Sequence, residues 1–515
     1  MIIDLDTEAG LDPGRVGAKA AWLAMGRRAG LPVLPGFAVD AVASRHHMEL
    51  GTATLATRGS GGARLTIGAE PVPEVDRLIE AGAKLGDSLV ARSSTSLEAS
   101  GEWSGAFSSY VDVTPDELPK AVSGCWASAF TVSALERQEA AGIEPGSFLM
   151  AVLVQRALEP LAGGTAQIED DGSVEVHGVK GSPAPLLQGW SNGHRARVSA
   201  HSLEGDEMIE LIGFSALDEI AQQLRTASSS MAVTQCEWAL QDRIWLLQLG
   251  TRRPRPTSGL PMFDLADPGL VPIARAAARA PGKVGEELVL PWALAGLPPP
   301  VATTTLEPAS LLSPRAAVEL RDRLVAGVWD LPPGQAMEAA RQCMNGIIGD
   351  EPGVSLARVH ELRAPDPEMA HRLLDHVDAS LSPGHATRLG VGRWEPFIAA
   401  VTLAFGTHHV GTTASPGVGA GRRAHIDEPG AIDRYKPRDI VTAPQPLPNL
   451  APLLWDAPGL VTETGSPAAH LFESARALAI PAVCGVALPR GEMIVAVDGT
   501  RGIVATIPMN GDDGD

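Results

Sequence analysis

Lysine is scarce in this chain of 515 residues. Lys19, Lys84, Lys120, Lys180, Lys283 and Lys436 are all there is, so arginine supplies most of the positive charge. Acidic side chains number 61 against 41 basic ones, for a formal net charge of −20. That balance argues against nonspecific binding to nucleic acid or an anionic membrane, and leaves room for a local basic pocket. Cysteine is also rare. Cys125, Cys236, Cys343 and Cys484 lie far apart with no CxxC spacing. This favours reduced core thiols in a cytoplasmic protein over a disulfide framework or a cysteine zinc site. The start, "MIIDLDTEAG", lacks a basic region followed by an apolar one, so no signal peptide is expected. No apolar run is long enough to span a bilayer, and there are no internal repeats.

What is present is a globular composition, 44% hydrophobic and 20% charged. The length exceeds one hydrophobic core and predicts three or four domains. "AAWLAMGRRAG" has helical apolar spacing and a C-terminal glycine, Gly30. "LPVLPGFAVD" reads as extended, and "DSLVARSSTS" as a strand entering a polar turn. Residues 116–141 read as an amphipathic helix and "FLMAVLVQRAL", 148–158, as a buried strand. "AQIEDDGSVEVHGV" reads as a hairpin, and 235–250 as strand, turn at "QDR", strand. A Pro-rich linker covers 251–262. The pattern is mostly helical over 263–405 and α/β over 406–511, where "VAVDGTRGIVATI" reads as strand, turn, strand.

One histidine stands out. In "TETGSPAAHLFESARALAIPAVCG", Ser466 and Pro467 have the form of an N-cap and first helical residue, which puts His470 in the first turn. A helix N-terminus offers free N–H groups and a positive dipole, so it favours an anion. His470 alone has three readings: a packed core residue, a cap, or a carrier of a phosphoryl group.

The surrounding motifs carry a resemblance. Ser415-Pro416-Gly417, Asp439-Ile440-Val441, Gly465, His470, Ala475-Arg476, Ile480-Pro481-Ala482-Val483 and Asp498-Gly499 occur in order over about 100 residues. This resembles the swivelling phosphohistidine domain of the phosphoenolpyruvate synthase and pyruvate phosphate dikinase superfamily. The resemblance implies that His470 is the phosphorylated residue and that Arg476 contacts phosphate. Ser466 stands for a second glycine, Ala468-Ala469 for a hydroxyl-bearing pair, and Glu473 for an apolar residue. Glu473 is one turn from His470 and would either orient the imidazole or repel a phosphate.

The N-terminal half resembles the superfamily's ATP-grasp domain through "GAKAAWLAMGRRAGLPVLPGF", "VARSSTSLEASGEWSGAFSSY", "MAVLVQRAL" and "QCEWALQDRIWLLQLGTRRP". The resemblance implies ATP-binding roles for Lys19, Arg92, Glu98, Gly105, Ser109, Gln155, Glu237 and Gln248. Glu237 and Gln248 would hold Mg2+, and an oxygen-only pair suits that ion. Gly250 occupies the position of a superfamily arginine, so Arg252 or Arg253 would substitute.

The expected fold is a multidomain α/β protein. An ATP-grasp domain would span 1–150 and 151–256, a mostly helical acceptor-binding domain 263–405, and an α/β swivelling phosphohistidine domain 406–511. This order is similar to that of the rifampicin phosphotransferase family. It implies a dikinase-type enzyme that uses ATP and Mg2+ to phosphorylate a small organic acceptor, with AMP and phosphate as products. Neither nucleic acid nor membrane is an expected partner, and a monomer or homodimer is expected. Trp292, Trp329, Trp394, His360, His371, His376, His408 and His409 are candidates for the acceptor pocket. A condensing enzyme of the prodigiosin type and a degenerate nucleotide-binding member are the alternatives. The hinges of the swivel are expected near 251–262 and 400–412.

Overall fold

The computed structural model describes residues 1–251 and 395–509, together with Val271, Ala274, Arg275 and Ala278. The rest of the expected middle region lies outside the described residues. So do Arg252, Arg253, Cys343, His360, His371, His376, Trp292, Trp329 and Trp394.

Five strands form the first sheet: β1 (Ile2–Asp4), β2 (Gly36–Val39), β3 (Leu89–Ser94), β4 (Ser109–Val113) and β5 (Ala151–Arg156). All pair antiparallel, in the order β1-β2-β5-β3-β4. The sequence division at 150/151 does not survive. An apolar run buried on both faces needs a neighbour on each side, so β5 sits in the middle of the first sheet. Around this sheet pack α1 (Pro13–Arg28), α2 (Arg45–Ala69), α3 (Val75–Ala83), α4 (Leu118–Ala127) and α5 (Val132–Ala140). The single helix expected over 116–141 is two. A 3-10 turn at Ser128–Phe130 separates them, and the Thr131 side chain caps α5 by accepting from Ala134 N.

The second sheet holds β6 (Ala162–Ile168), β7 (Val174–Lys180), β8 (His194–Val198), β9 (Leu203–Glu204), β10 (Gln235–Leu240) and β11 (Ile244–Gly250). It too is antiparallel, in the order β11-β10-β6-β7-β8-β9. The short helix α6 (Ala184–Leu187) and the long α7 (Asp206–Met231) accompany it. Leu23 of α1, Leu217 and Leu224 of α7 and Trp238 of β10 share one core.

Helix α1 begins at the Asp12 cap, which accepts from Gly14 N at 2.9 Å, and carries a kink at Gly17, where φ is +75°. A Cβ there would lie 2.2 Å from the Ser94 carbonyl. Gly17→Ala is expected to cost about 2–4 kcal/mol from backbone strain and overlap together. Scanning calorimetry would read this as a lowered midpoint; an unchanged midpoint would show that α1 can shift away from β3.

The C-terminal unit comprises α8 (Glu395–Phe405), β12 (Thr407–Val410), β13 (Thr412–Ser415), β14 (Val418–His425), β15 (Ile440–Ala443), β16 (Leu460–Thr462), α9 (His470–Ala477), β17 (Ala482–Cys484), β18 (Met493–Asp498) and β19 (Ile503–Pro508). Its eight strands run in the order β12-β19-β18-β14-β15-β16-β17-β13, with β14 through β17 parallel. Two expectations are corrected here. Helix α8 does not belong to a separate middle domain. Ile398, Ala399 and Val401 pack with Ala420, Ile494, Ala505 and Ile507 of this sheet, and Ala274 and Ala278 join the same cluster. Nor does 400–412 form a loose hinge, because it consists of helix and of a strand paired with β19.

Among the described residues no helix is long and apolar enough to cross a membrane. Cys125, Cys236 and Cys484 are free and buried, and burial pushes their thiols up, so they are inert at neutral pH.

Candidate functional site

Helix α1 is pinned to the end of β3. Ala18 N donates to Thr95 O at 3.0 Å, and Ala20 N to Ser94 Oγ at 3.2 Å. This sets Lys19 between them. Its Nζ lies 2.6 Å from Glu98 Oε1 and 3.4 Å from Ser93 O. The other Glu98 oxygen accepts from Thr95 N at 2.9 Å, so a capping box orients the carboxylate. Arg92, on β3, donates from Nη1 to Leu247 O at 3.0 Å and lies 3.9 Å from Glu237 Oε2. Glu237 and Gln248 are direct cross-strand partners in the β10–β11 hairpin. They present two oxygens on one face beside a guanidinium. Among the described residues no group of three His, Cys, Asp or Glu could hold a metal ion. A two-oxygen pair nevertheless fits magnesium, which keeps water and takes phosphate oxygens for its remaining positions.

That hairpin forms one wall of a cleft. Thr165, Gln235, Glu237 and Gln248 line it from the second sheet, and Glu473 and Arg476 from α9. Arg476 donates from Nη1 to Ala414 O at 2.9 Å and Pro467 O at 2.8 Å, tying α9 to its own approach loop.

His470 is the first residue of α9. Ser466 is not the cap; Ala469 occupies that position, without a side-chain bond. Ser466 instead accepts from Ala468 N at 3.2 Å, and a turn closed by Ala469 N to Ser466 O precedes the helix. The imidazole faces the loop between β3 and β4. Gly105 has φ +65°, and a Cβ there would lie 3.2 Å from His470 Cβ and Cδ2. His470 Nδ1 is 2.7 Å from Ser104 Oγ and 3.4 Å from Glu473 Oε2. Burial would raise the Glu473 carboxyl, but the hydrogen bond and charge of His470, the Ser104 hydroxyl and the charge of Arg476 outweigh it and hold it well below the usual range.

Further contacts help to seat the C-terminal unit on the rest. The buried Arg137 donates to Ser104 O and to Pro448 O, both at 2.9 Å. Burial lowers its guanidinium to about 10, so it remains a cation at neutral pH. Trp103 meets Trp455 edge-on at 6.2 Å. Gly465 N donates to Asn192 Oδ1 at 2.7 Å.

The structure thus brings together Lys19 with Glu98, Arg92 with Glu237 and Gln248, Gly105 with His470, and Arg476 with the cleft. It separates others. Gln155 spends its amide on Leu34 O at 2.9 Å and is buried. Ser109, by contrast, is exposed on β4 but is the direct cross-strand partner of Arg92, so it stays beside the site. His408 and His409 lie on the edge strand β12, against Leu403 O and Thr506 Oγ1, and are not among the residues lining this cleft. Ser104, Gln235 and His177 went unread in the sequence. Gln235 is two residues before Glu237 on the same strand face, a period-two signal that finds it. His177 bonds Glu175 Oε1 at 2.7 Å and meets Ser466 Oγ at 3.2 Å.

Residues 69–181 match the pyruvate phosphate dikinase AMP/ATP-binding domain. Residues 435–502, which contain His470, match the PEP-utilising enzyme mobile domain. The chain thus carries two domains of the phosphoenolpyruvate-utilising enzyme superfamily. The superfamily's phosphoenolpyruvate synthase from Pyrococcus furiosus is 39% identical over 99 residues, 18% of this chain and 12% of that protein. The prodigiosin synthesizing transferase PigC of Serratia marcescens is 28% identical over 305 residues, 57% of this chain and 32% of that protein. The chain thus spans at most about a third of either relative's length.

Proposed function

We propose that the protein is a dikinase-type phosphotransferase whose phosphoryl carrier is His470. The observation that carries this reading is the placement of His470, its Nδ1 bonded and its face against the Gly105 loop, beside a cleft holding the Glu237–Gln248 pair. Among the described residues His470 Nε2 takes no hydrogen bond, so its lone pair is the nucleophile. Lys19 and Arg92 are the cations for the triphosphate, and Glu237 and Gln248 the residues that would hold Mg2+. A bound magnesium ion would neutralise phosphate charge. Nε2 attacks the β-phosphorus, the bond to the AMP oxygen breaks, and AMP leaves. The terminal phosphate passes to water or phosphate, and the remaining phosphoryl passes to a small organic acceptor, a hydroxyl or amine of a natural product or antibiotic.

A second reading, phosphoryl activation followed by condensation of two substrates, is favoured by the breadth of the match to the prodigiosin synthesizing transferase. A condensed product in place of a phosphorylated one would select it.

The first test is intact mass after incubation with ATP and magnesium at neutral pH. A phosphoryl adduct and AMP are expected for the wild type, and neither for His470→Ala. Equal ATP turnover by both proteins would remove His470 from the role.

A further inference from the structure

The environment of His470 is assembled from two units. Its Nδ1 is 2.7 Å from Ser104 Oγ. The same hydroxyl donates to Glu473 Oε2 at 2.5 Å. The opposite oxygen, Oε1, accepts from Gln235 Nε2 at 2.7 Å. One O–H cannot donate in two directions, so donating to the carboxylate leaves Ser104 Oγ as acceptor from the imidazole. Nδ1 must then carry the proton. Ser104 is buried, and its own backbone carbonyl is fixed by Arg137. The hydroxyl therefore has little freedom to turn elsewhere.

We infer that Ser104 and Gln235 act with Glu473 as positioning residues that hold His470 as the Nδ1–H tautomer when the C-terminal unit is seated. The inference rests on the phosphohistidine reading above for its catalytic consequence, though not for its geometry. His470 and Glu473 belong to α9, whereas Ser104 and Gln235 belong to the N-terminal sheets. The relay is complete only when the two units touch. Seating thus prepares the nucleophile at the place where the phosphate donor would lie.

The chemistry balances without another reactant. The Nε2 lone pair forms the N–P bond, and the P–O bond to the leaving group breaks with its electrons on oxygen. The Nδ1 proton stays on the ring, which becomes cationic. Glu473 is then a counter-charge on the Nδ1 side, away from the phosphoryl group on Nε2. This answers whether Glu473 orients the ring or repels the phosphate: its position serves the first. Orientation through a carboxylate-backed hydrogen bond is worth about 10²–10⁴-fold in rate where a histidine must present one nitrogen.

The test is Ser104→Ala in the full chain, with Ser104→Thr as the conservative control. Nitrogen-15 spectra of histidine-labelled protein, without nucleotide, report the tautomer. The wild type is expected to show His470 protonated at Nδ1, and Ser104→Ala a mixture with the proton on Nε2. The single-turnover rate of phosphohistidine formation should fall about 100-fold in Ser104→Ala, with ATP affinity unchanged and Ser104→Thr restoring most of the rate. An unchanged tautomer and rate in Ser104→Ala would overturn the inference. The tautomer reading needs no ATP. If the wild type never gains a phosphoryl group yet shows the tautomer shift, the proposed function fails and the relay stands.

Discussion

Glu237→Gln is expected to slow formation of phosphohistidine by about 10³-fold at saturating ATP and to flatten its dependence on magnesium. Glu237 is the one carboxylate of the proposed metal pair, and it lies 3.9 Å from Arg92 Nη1. The substitution keeps shape and one oxygen but removes the charge. A metal holding transferring phosphate oxygens contributes several kcal/mol. Each tenfold in rate corresponds to about 1.4 kcal/mol, so a thousandfold loss is about 4 kcal/mol. Rapid-quench measurement across a magnesium titration reads both effects. If rate and magnesium dependence both persist, the metal is held elsewhere and Gln248 loses its proposed role as well.

Arg137→Met is the second large effect. Arg137 is fully buried and joins Ser104 O to Pro448 O, one carbonyl from each unit. Hydrogen bonds from a charged donor are worth about 1.5–3 kcal/mol each. Methionine fills much of the volume and leaves both carbonyls without this donor. The expected result is a C-terminal unit released from its seat. Small-angle scattering should show a larger radius of gyration, and phosphohistidine formation should slow at least tenfold while nucleotide binding holds. Retained compactness with a normal rate would show that the other contacts between the units, the Trp103–Trp455 pair and the Gly465–Asn192 bond among them, hold the seat without the guanidinium.

Much of the candidate site was legible because its parts are local. The 235–250 hairpin announces itself by two apolar strands around "QDR", and strand pairing then sets Glu237 opposite Gln248. Lys19 and Glu98 stand in separate motifs, and the fold joins them as an ion pair. What stayed hidden depends on contacts between distant segments. Ser104 and His470 are 366 residues apart. No periodicity links them, and Ser104 looks like one more polar residue in a serine-rich loop. The start of α9 departs from its local signal for a related reason. Ser466-Pro467 has the form of a cap, but its hydroxyl bonds Ala468 N and faces His177 across the interface. Tertiary contact overrode a local signal. The same holds for β5, whose apolar run was recognisable as a strand but whose neighbours were not.

The packing of Val271, Ala274 and Ala278 beside α8 carries a further consequence. Those three positions and that helix lie on either side of 279–394 in the sequence, and both rest on one sheet. The C-terminal unit therefore draws on chain from both sides of that stretch of sequence. The sequence between the last strand of the N-terminal sheets and the first of those positions runs only from Thr251 to Val271, so its length is independent of the residues at 279–394. A change in the length of 279–394 would therefore leave that tether between the two units as it is.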